Sequence, residues 1–449
     1  MALVSELELP AFDSTDPSVR GDRFHEVMRE LGSQGWLAKD PFGYVVLDRE
    51  SAEFFLRTRS AVFPGMHIAE IFDVKEGALY EEMKRNILHI NGEDHTRLRS
   101  LVNPALSPRA VERYRPVMRE LMGGLLDEVI ASARAGRSAG RSAGRSSIGG
   151  TAAENGATPD GRSTDGASLA EGRVKCEFVQ AFAKPYPSLA IATVMGAPLE
   201  DAPRLHHWSN WIQRQFDVVS MATEREKIEE ACAEFYEYAE QLVRARRRQP
   251  ADDLITKLIE AEEQGDRLND VECINLVFNV LVGGVDTSQS QLAHAVRLLA
   301  EHGDQWELLA ADESLAEAAV EEALRYEPIT PFTARITTEE VSYRDVTFPE
   351  GSLVAVCAFT GNRDLADAEA GAGGTDAFDI TADRGRERPL TFGAGVHYCL
   401  GANLARVELQ EGLAFLSKNL SDLKLDGEPR FEGVSGIYGL AGLPISFAI

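Results

Sequence analysis

The run Phe392-Gly-Ala-Gly-Val-His-Tyr-Cys-Leu-Gly-Ala-Asn-Leu-Ala-Arg-Val-Glu408 restricts this chain more than any other stretch. One cysteine, Cys399, is enclosed by Gly393, Gly395 and Gly401, and a helical pattern begins directly after it. Leu409, Leu413, Leu416 and Leu420 recur at helix spacing, so that helix has a face to bury. Glycines ahead of the cysteine let the backbone turn sharply and approach something flat and bulky. A helix starting past the sulfur turns its positive end and unpaired N–H groups towards it, which favours thiolate over thiol. A thiolate held open under a flat surface suits an axial ligand to haem iron. The plainer alternative is a buried cysteine in a Gly-rich turn, but burial alone does not require His397 and Arg406 at fixed offsets.

Composition sets the outer bounds. The chain has 449 residues, 44% hydrophobic and 26% charged, enough for a large core. No run of eighteen apolar residues is present, so no membrane span is expected, and Met1 to Asp16 is acidic and mixed, unlike a signal peptide or anchor. Cys176, Cys232, Cys273, Cys357 and Cys399 are scattered with no CxxC pair, which fits a reducing cytoplasm rather than a disulfide framework. A formal net charge of −26 disfavours nucleic acid and anionic lipid as partners. Arg244, Arg246, Arg247 and Arg248 read as a solvated helix end.

A Gly/Ser/Arg/Ala-rich stretch over 136–172 lacks large apolar residues and reads as a flexible insertion, with a smaller surface insertion at 365–375. The rest, 1–449, reads as one domain. Helical periodicity marks Glu112–Ala133, Ala222–Arg246, Ala251–Glu263, Asp270–Ala300 and Leu315–Tyr326. Ser314-x-x-Glu317 predicts a capping box for the last of these. Strand-like pieces are short: Tyr44-Val-Val-Leu, Arg335-Ile-Thr-Thr, Leu353-Val-Ala-Val and the run from Pro444. The expected fold is mainly α with a small β portion.

Further constellations stand outside the cysteine loop. Glu322 and Arg325 share a helix face at i,i+3, a spacing that by itself gives only a surface ion pair. His95 and Arg99 lie one turn apart, alone a solvated basic face. Gly283 and Gly284 sit inside an apolar helix, each costing about 1 kcal/mol relative to alanine, so they require close helix packing or an opening for a small ligand. Asp286 and Thr287 follow: a hydroxyl beside an acid can deliver protons to a bound oxygen.

Phe392, Gly393, Gly395, His397, Cys399, Gly401, Leu404, Ala405, Arg406 and Glu408 match the haem-binding signature of the cytochrome P-450 superfamily, which the chain resembles over most of its length. The resemblance implies the cytochrome P-450 fold, with haem b (iron protoporphyrin IX) between the long oxygen-activating helix and the helix after the cysteine loop. It implies Cys399 as the thiolate axial ligand, whose electron push favours O–O cleavage. Gly283, Gly284, Asp286 and Thr287 are similar to the family's oxygen-activation motif, with Thr287 beside the bound oxygen and Asp286 feeding the proton relay. His95, Arg99, Arg335 and His397 match the usual contacts to the haem propionates, and Glu322/Arg325 the pair that holds the haem-side core. In the family a third partner often comes from an Arg just before the position of Phe378; this chain has Asp376-Ala377 there, leaving Arg384, Arg386 or Arg388 as substitutes.

Substrate is then expected between the glycine-bearing helix and three loops, near Phe278, Val282, Ile329, Phe332 and Leu440, which suit an apolar organic molecule, with Tyr438 offering a hydrogen bond. The implied activity is a cytoplasmic, monomeric monooxygenase acting on such a molecule with O2. No flavin or iron–sulfur module is attached, so electrons from NAD(P)H are expected through a separate ferredoxin and ferredoxin reductase. Two other readings of the same fold are a peroxide-driven oxidase, which typically lacks an acid–threonine pair like Asp286-Thr287, and a catalytically silent recruitment domain, which could dispense with Cys399 or Thr287.

Overall fold

The computed structural model describes residues 1–143, 167–170, 172–263, 268–364, 374–385 and 388–448. Helices make the body and short strands are set against it. The main sheet has five strands in the order Leu37–Asp40, Gly43–Val46, Leu353–Cys357, Phe332–Thr337 and Ala61–Val62. Leu353–Cys357 runs parallel to Gly43–Val46 and antiparallel to Phe332–Thr337, with Val354 opposite Arg335. That register puts Arg335, a buried residue, on an inner strand. A second sheet joins Ser421–Leu425, Pro444–Ala448, Arg173–Glu177 and Ser168–Ala170.

The largest apolar core gathers the faces of most helices, including Leu404, Leu409, Leu413 and Leu416 from the helix Ala402–Asn419. Two smaller cores lie beside the main sheet. The helix after the cysteine packs against Asp286–Glu301, against Ala316–Tyr326 and against Arg115–Ala143. Those contacts fix where the cysteine loop sits relative to the glycine-bearing helix.

The periodicity over 270–300 resolves into two helices, Asp270–Gly283 and Asp286–Glu301. The first opens with a capping box: Asn269 accepts from the Glu272 N–H, and Glu272 accepts from the Asn269 N–H. The break follows Gly283, where Thr287 Oγ1 donates to the Gly283 carbonyl at 2.8 Å. Gly283 and Gly284 have different reasons to be glycine. A Cβ on Gly284 would stand 2.8 Å from Ile191 Cδ1, so two helices touch there, whereas a Cβ on Gly283 would meet nothing within 4 Å. By length and apolarity the segment Asp270–Glu301 could cross a membrane; 61% of its most apolar window is buried inside the body, which accounts for its composition.

Other expectations need correction. The Ser314/Glu317 capping box does not form. Asp312 instead accepts from the Ser314 N–H at 3.0 Å and caps a short 3-10 turn, and the helix Ala316–Tyr326 follows with no side-chain cap. The helix Arg115–Ala143 runs into the stretch read as an insertion from 136, and Ser168–Ala170 already pairs as a strand. Within 136–172, residues 144–166 and 171 lie outside the described residues; so do 365–373 of the smaller insertion, while Gly374–Asp376 forms a 3-10 turn.

The two glycines should separate in a denaturation experiment. Gly284→Ala should lower stability by about 1–3 kcal/mol through overpacking against Ile191. Gly283→Ala should be neutral or gain up to about 1 kcal/mol of helix propensity. Urea titration of both variants checks the order.

Candidate functional site

The cysteine loop is built by backbone turns. Gly393 and Gly395 have φ of 69° and 71°, in the left-handed region. A Cβ on Gly395 would strike the Leu56 carbonyl, so this position can hold only glycine. The loop closes where the Cys399 N–H donates to the Phe392 carbonyl at 2.9 Å and the Gly393 N–H donates to Leu390 at 2.7 Å. Arg406 stacks on Phe392 at 4.6 Å and donates to the Tyr398 hydroxyl at 3.1 Å and to Glu321, so the first turn of the helix clamps the loop.

Cys399 is exposed, unlike the other four cysteines, which are buried. Protein crowds it on its remaining sides, and desolvation raises its thiol above the ordinary range. The Gly401 N–H opposes that rise, followed by the Arg99 and Arg406 charges and the Ala402 N–H. These donors and charges would stabilise the thiolate left when a metal displaces the proton.

Two arginines and two histidines gather beside the loop, with no carboxylate partner among the described residues. His95 and His397 rings are 4.1 Å apart, and Arg99 donates to the Tyr398 carbonyl at 2.7 Å. His397 Nε2 faces Asn91 Oδ1 at 3.0 Å, while its buried Nδ1 has no partner. Burial pushes His397 down to about 3, helped by His95, Arg335 and Arg99 in that order. His95 is pushed down to about 4 by burial and then by Arg99. Arg335 is buried, donates only to the Ala334 carbonyl at 2.8 Å, and has no ion pair among the described residues; desolvation alone brings it down to about 10. A buried guanidinium left unneutralised is costly, so the cluster fits a dianionic group. Gly283, Gly393 and Gly401 each face open space where a Cβ would stand, which suits a flat occupant. The residues present therefore fit haem with its two propionates.

On the helix pair, Asp286 is buried, and Asn210 Nδ2 donates to its Oδ1 at 3.3 Å. Desolvation raises Asp286 above the usual carboxylate range, against the pull of Asn210, Arg214 and Lys184. Thr287 is half-buried, its hydroxyl resting on the Gly283 carbonyl. Glu408, at the end of the loop signature, is buried against Ser288 and pushed up to about 8 by desolvation.

The Glu322–Arg325 pair is fully inside the protein, 3% exposed on both sides, with bonds of 2.7 Å. Its third partner is Arg384, whose Nη2 donates to Glu322 Oε1 at 2.7 Å. The Asp379 N–H adds a bond to the same oxygen at 2.9 Å, and Arg325 reaches the Thr375 and Ala377 carbonyls. The substitute thus stands six residues after Phe378, and only the surplus of arginines there hinted at it.

The expected substrate set does not gather in one place. Phe278, Val282 and Leu440 belong to the largest core, Phe278 edge-on to Phe235 at 4.8 Å. Ile329 is buried, its carbonyl bonded to the Tyr438 N–H. Phe332 and Tyr438 belong to the core under the helix Asp22–Gln34. Tyr438 is corrected as a ligand contact: its ring is fully enclosed and its hydroxyl accepts from the Gly21 N–H at 2.8 Å. Sequence reasoning also missed Asn210, Arg214 and Glu432 around Asp286, because they come from segments with no motif of their own.

A family model described as Cytochrome P450 matches residues 205–366. The luteothin monooxygenase of Streptomyces thioluteus is 30% identical over 98% of this chain and 96% of its own. Cytochrome P450 107B1 of Saccharopolyspora erythraea is 31% identical over 98% and 97%. Among solved structures, CalO2 superimposes with a TM-score of 0.80 at 28% identity, covering 98% of this chain and 99% of that one.

Two outcomes follow from the buried charges. Removing the Glu322 carboxylate takes the buried counter-charge from Arg325, so Glu322→Gln should cost about 3–5 kcal/mol, and Arg384→Ala should cost less because that side chain is partly exposed. Thermal melting of both checks the order. Glu408 should make stability fall with pH. Below about 4.5 both folded and unfolded forms are protonated; above it only the unfolded carboxyl ionises, until the folded group follows near 8. Glu408→Gln should flatten that slope in urea titrations taken between those two pH values.

Proposed function

The chain belongs to the cytochrome P450 family and is an oxidoreductase of the monooxygenase class, and on that premise we propose that Cys399 holds haem b and that an apolar organic molecule is oxygenated above it. When bound, haem supplies oxygen activation, and a thiolate ligand favours O–O cleavage. The rest of the proposal concerns what the protein's own side chains do.

The observation that supports it is a group of two arginines and two neutral histidines with no carboxylate partner among the described residues. Arg335 and Arg99 bring charge, and His95 and His397, held neutral by burial, bring ring nitrogens to the same side of the cysteine loop. We assign these four to the propionates, whose charge would hold a proton on His397 Nδ1, an atom without a partner among the described residues. Cys399 gives up its proton on binding iron, and the Gly401 and Ala402 N–H groups with Arg99 and Arg406 hold the resulting charge. Gly283 leaves the helix open on the opposite side, and Gly284 keeps it seated on Ile191.

Thr287 and Asp286 are assigned to proton delivery. The Thr287 hydroxyl already has an acceptor in the Gly283 carbonyl, so it can donate there and accept from a water or from the substrate side. Asp286 is raised by burial and remains tied to Asn210, which suits a group that takes and passes protons. The Glu322–Arg325–Arg384 clamp is assigned a structural part. Phe278, Val282, Ile329, Phe332 and Leu440 remain the residues proposed for an apolar substrate, spread over more than one core. Residues 1–449 are taken as one domain, and the five free cysteines fit the cytoplasm. Electrons come from a separate ferredoxin and its reductase.

The reduced protein under CO tests this reading. Wild type should show the red-shifted Soret band of thiolate ligation; a band at the position given by histidine ligation would reject it. Cys399→Ala should abolish the shifted band. Thr287→Ala should leave it intact while most of the NADH consumed with ferredoxin and reductase appears as hydrogen peroxide, a loss of coupling of about tenfold or more.

A further inference from the structure

A cavity of about 190 Å³ adjoins the start of the helix Asp286–Glu301, walled by Asn210, Gln213, Arg214, Asp286, Glu432 and Ser435. Three segments meet there: the end of the helix Ala202–Gln213, the break in the glycine-bearing helix, and the loop between Arg430–Phe431 and Leu440–Gly442. Ser209 and Gln213 fasten the first to the second through the Val282 carbonyl, at 2.8 and 3.2 Å. At the rim, Gly433 is exposed, so the cavity reaches solvent.

Glu432 stands in this cavity without a side-chain hydrogen bond in the described residues, its backbone N–H held by the Gly439 carbonyl at 3.0 Å. A Cβ on Gly439 would lie 2.8 Å from Glu432 Oε2 and 2.7 Å from Ser290 Oγ. The Glu432 carboxyl therefore lies over the same helix as Asp286, one turn along, and the absence of a side chain at Gly439 is what admits it. Ser290 in turn donates to the Asp286 carbonyl at 3.0 Å. Arg214, the nearest guanidinium, is already engaged by Glu224 at 3.0 Å and stacks on Trp211. Asp217 is engaged by Ser435 and Ser220.

We propose that Glu432 is the proton donor to Asp286, and that this cavity is the inlet through which solvent recharges it. The O–H bond of Glu432 breaks, the proton passes through cavity water to an Asp286 carboxylate oxygen, and the Glu432 carboxylate regains a proton from solvent at the Gly433 rim. No electrons move. Two carboxyls facing one small cavity repel as anions, so one of them keeps a proton to give. Desolvation first, and then the Asp286 charge, raise Glu432; Arg214 and Lys184 oppose this. Placing the second acid on the C-terminal hairpin, and Asn210 on the helix Ala202–Gln213, makes proton supply depend on both segments staying against the helix break.

This rests on the monooxygenase reading, and its test separates the two. In the haem-loaded full chain, infrared titration of the protonated carboxyl C=O stretch needs no turnover. Asp286→Asn should move the Glu432 titration to lower pH, and Glu432→Gln should delete that step while leaving the Glu408 step near 8 in place. An unmoved Glu432 step in Asp286→Asn would overturn the proposal. With ferredoxin and reductase supplied, Glu432→Gln should slow O2 consumption at least about tenfold and enlarge the H2O/D2O rate ratio, with Glu432→Asp restoring part of both. Unchanged rate and isotope ratio would also overturn it. The CO spectrum of each variant should match wild type; a wild-type spectrum without thiolate ligation would sink the monooxygenase reading and leave the infrared result standing.

Discussion

A single buried carboxylate, Glu322, decides how the two halves of the site are held together. It accepts from Arg325 on its own helix, from Arg384 beyond the next loop and from the Asp379 N–H. Arg325 then spends its remaining donors on Thr375 and Ala377 carbonyls, so the chain leading to the cysteine loop is pinned to the helix Ala316–Tyr326. Neighbouring bonds finish the attachment: Asn362 and Thr391 hold the start of the loop to the Leu324 and Arg325 carbonyls. In a dry interior such a network is stable only when complete, since each stranded guanidinium or carboxylate carries its full desolvation cost. The loop can therefore stay rigid around Cys399 while one side of the sulfur is left open.

The opposite wall follows a different logic. Its helix is apolar because it runs through the core, yet it breaks after Gly283, and each side-chain choice at the break has a distinct cause. Gly284 is small because Ile191 is pressed against it, Gly283 is bare because the space beyond it is open, and Thr287 closes the carbonyl that the break frees. Acids then cluster around this point, the half-buried Glu432 and buried Asp286 towards the cavity and buried Glu408 against Ser288, all raised by desolvation. Acids raised by burial are suited to passing protons, and here they lie around the break in the helix.

Much of this was legible in the sequence, wherever local spacing fixes geometry. The glycines of the cysteine loop, the i,i+3 pair of Glu322 and Arg325, and His95 with Arg99 could each be placed because turns and helices have short, fixed periods. What could not be read depends on contacts between distant segments. Arg384 reaches Glu322 across 62 positions, and Asn210 and Glu432 approach Asp286 from segments that carry no pattern. Tyr438 looked like a ligand contact because a tyrosine near an apolar run resembles one, but the hydroxyl is taken by Gly21, 417 residues away. The capping box at Ser314 failed for a local reason: Asp312, two residues earlier, takes the Ser314 N–H first.

The central claim is that Cys399 meets haem iron as a thiolate within this rigid loop. Resonance Raman spectroscopy of the haem-loaded protein, grown with ordinary or heavy-sulfur cysteine, tests it directly. An iron–sulfur stretching band that shifts with the sulfur isotope and disappears in Cys399→Ser is the predicted result. A spectrum insensitive to the sulfur isotope, with an iron–imidazole band in its place, would contradict it.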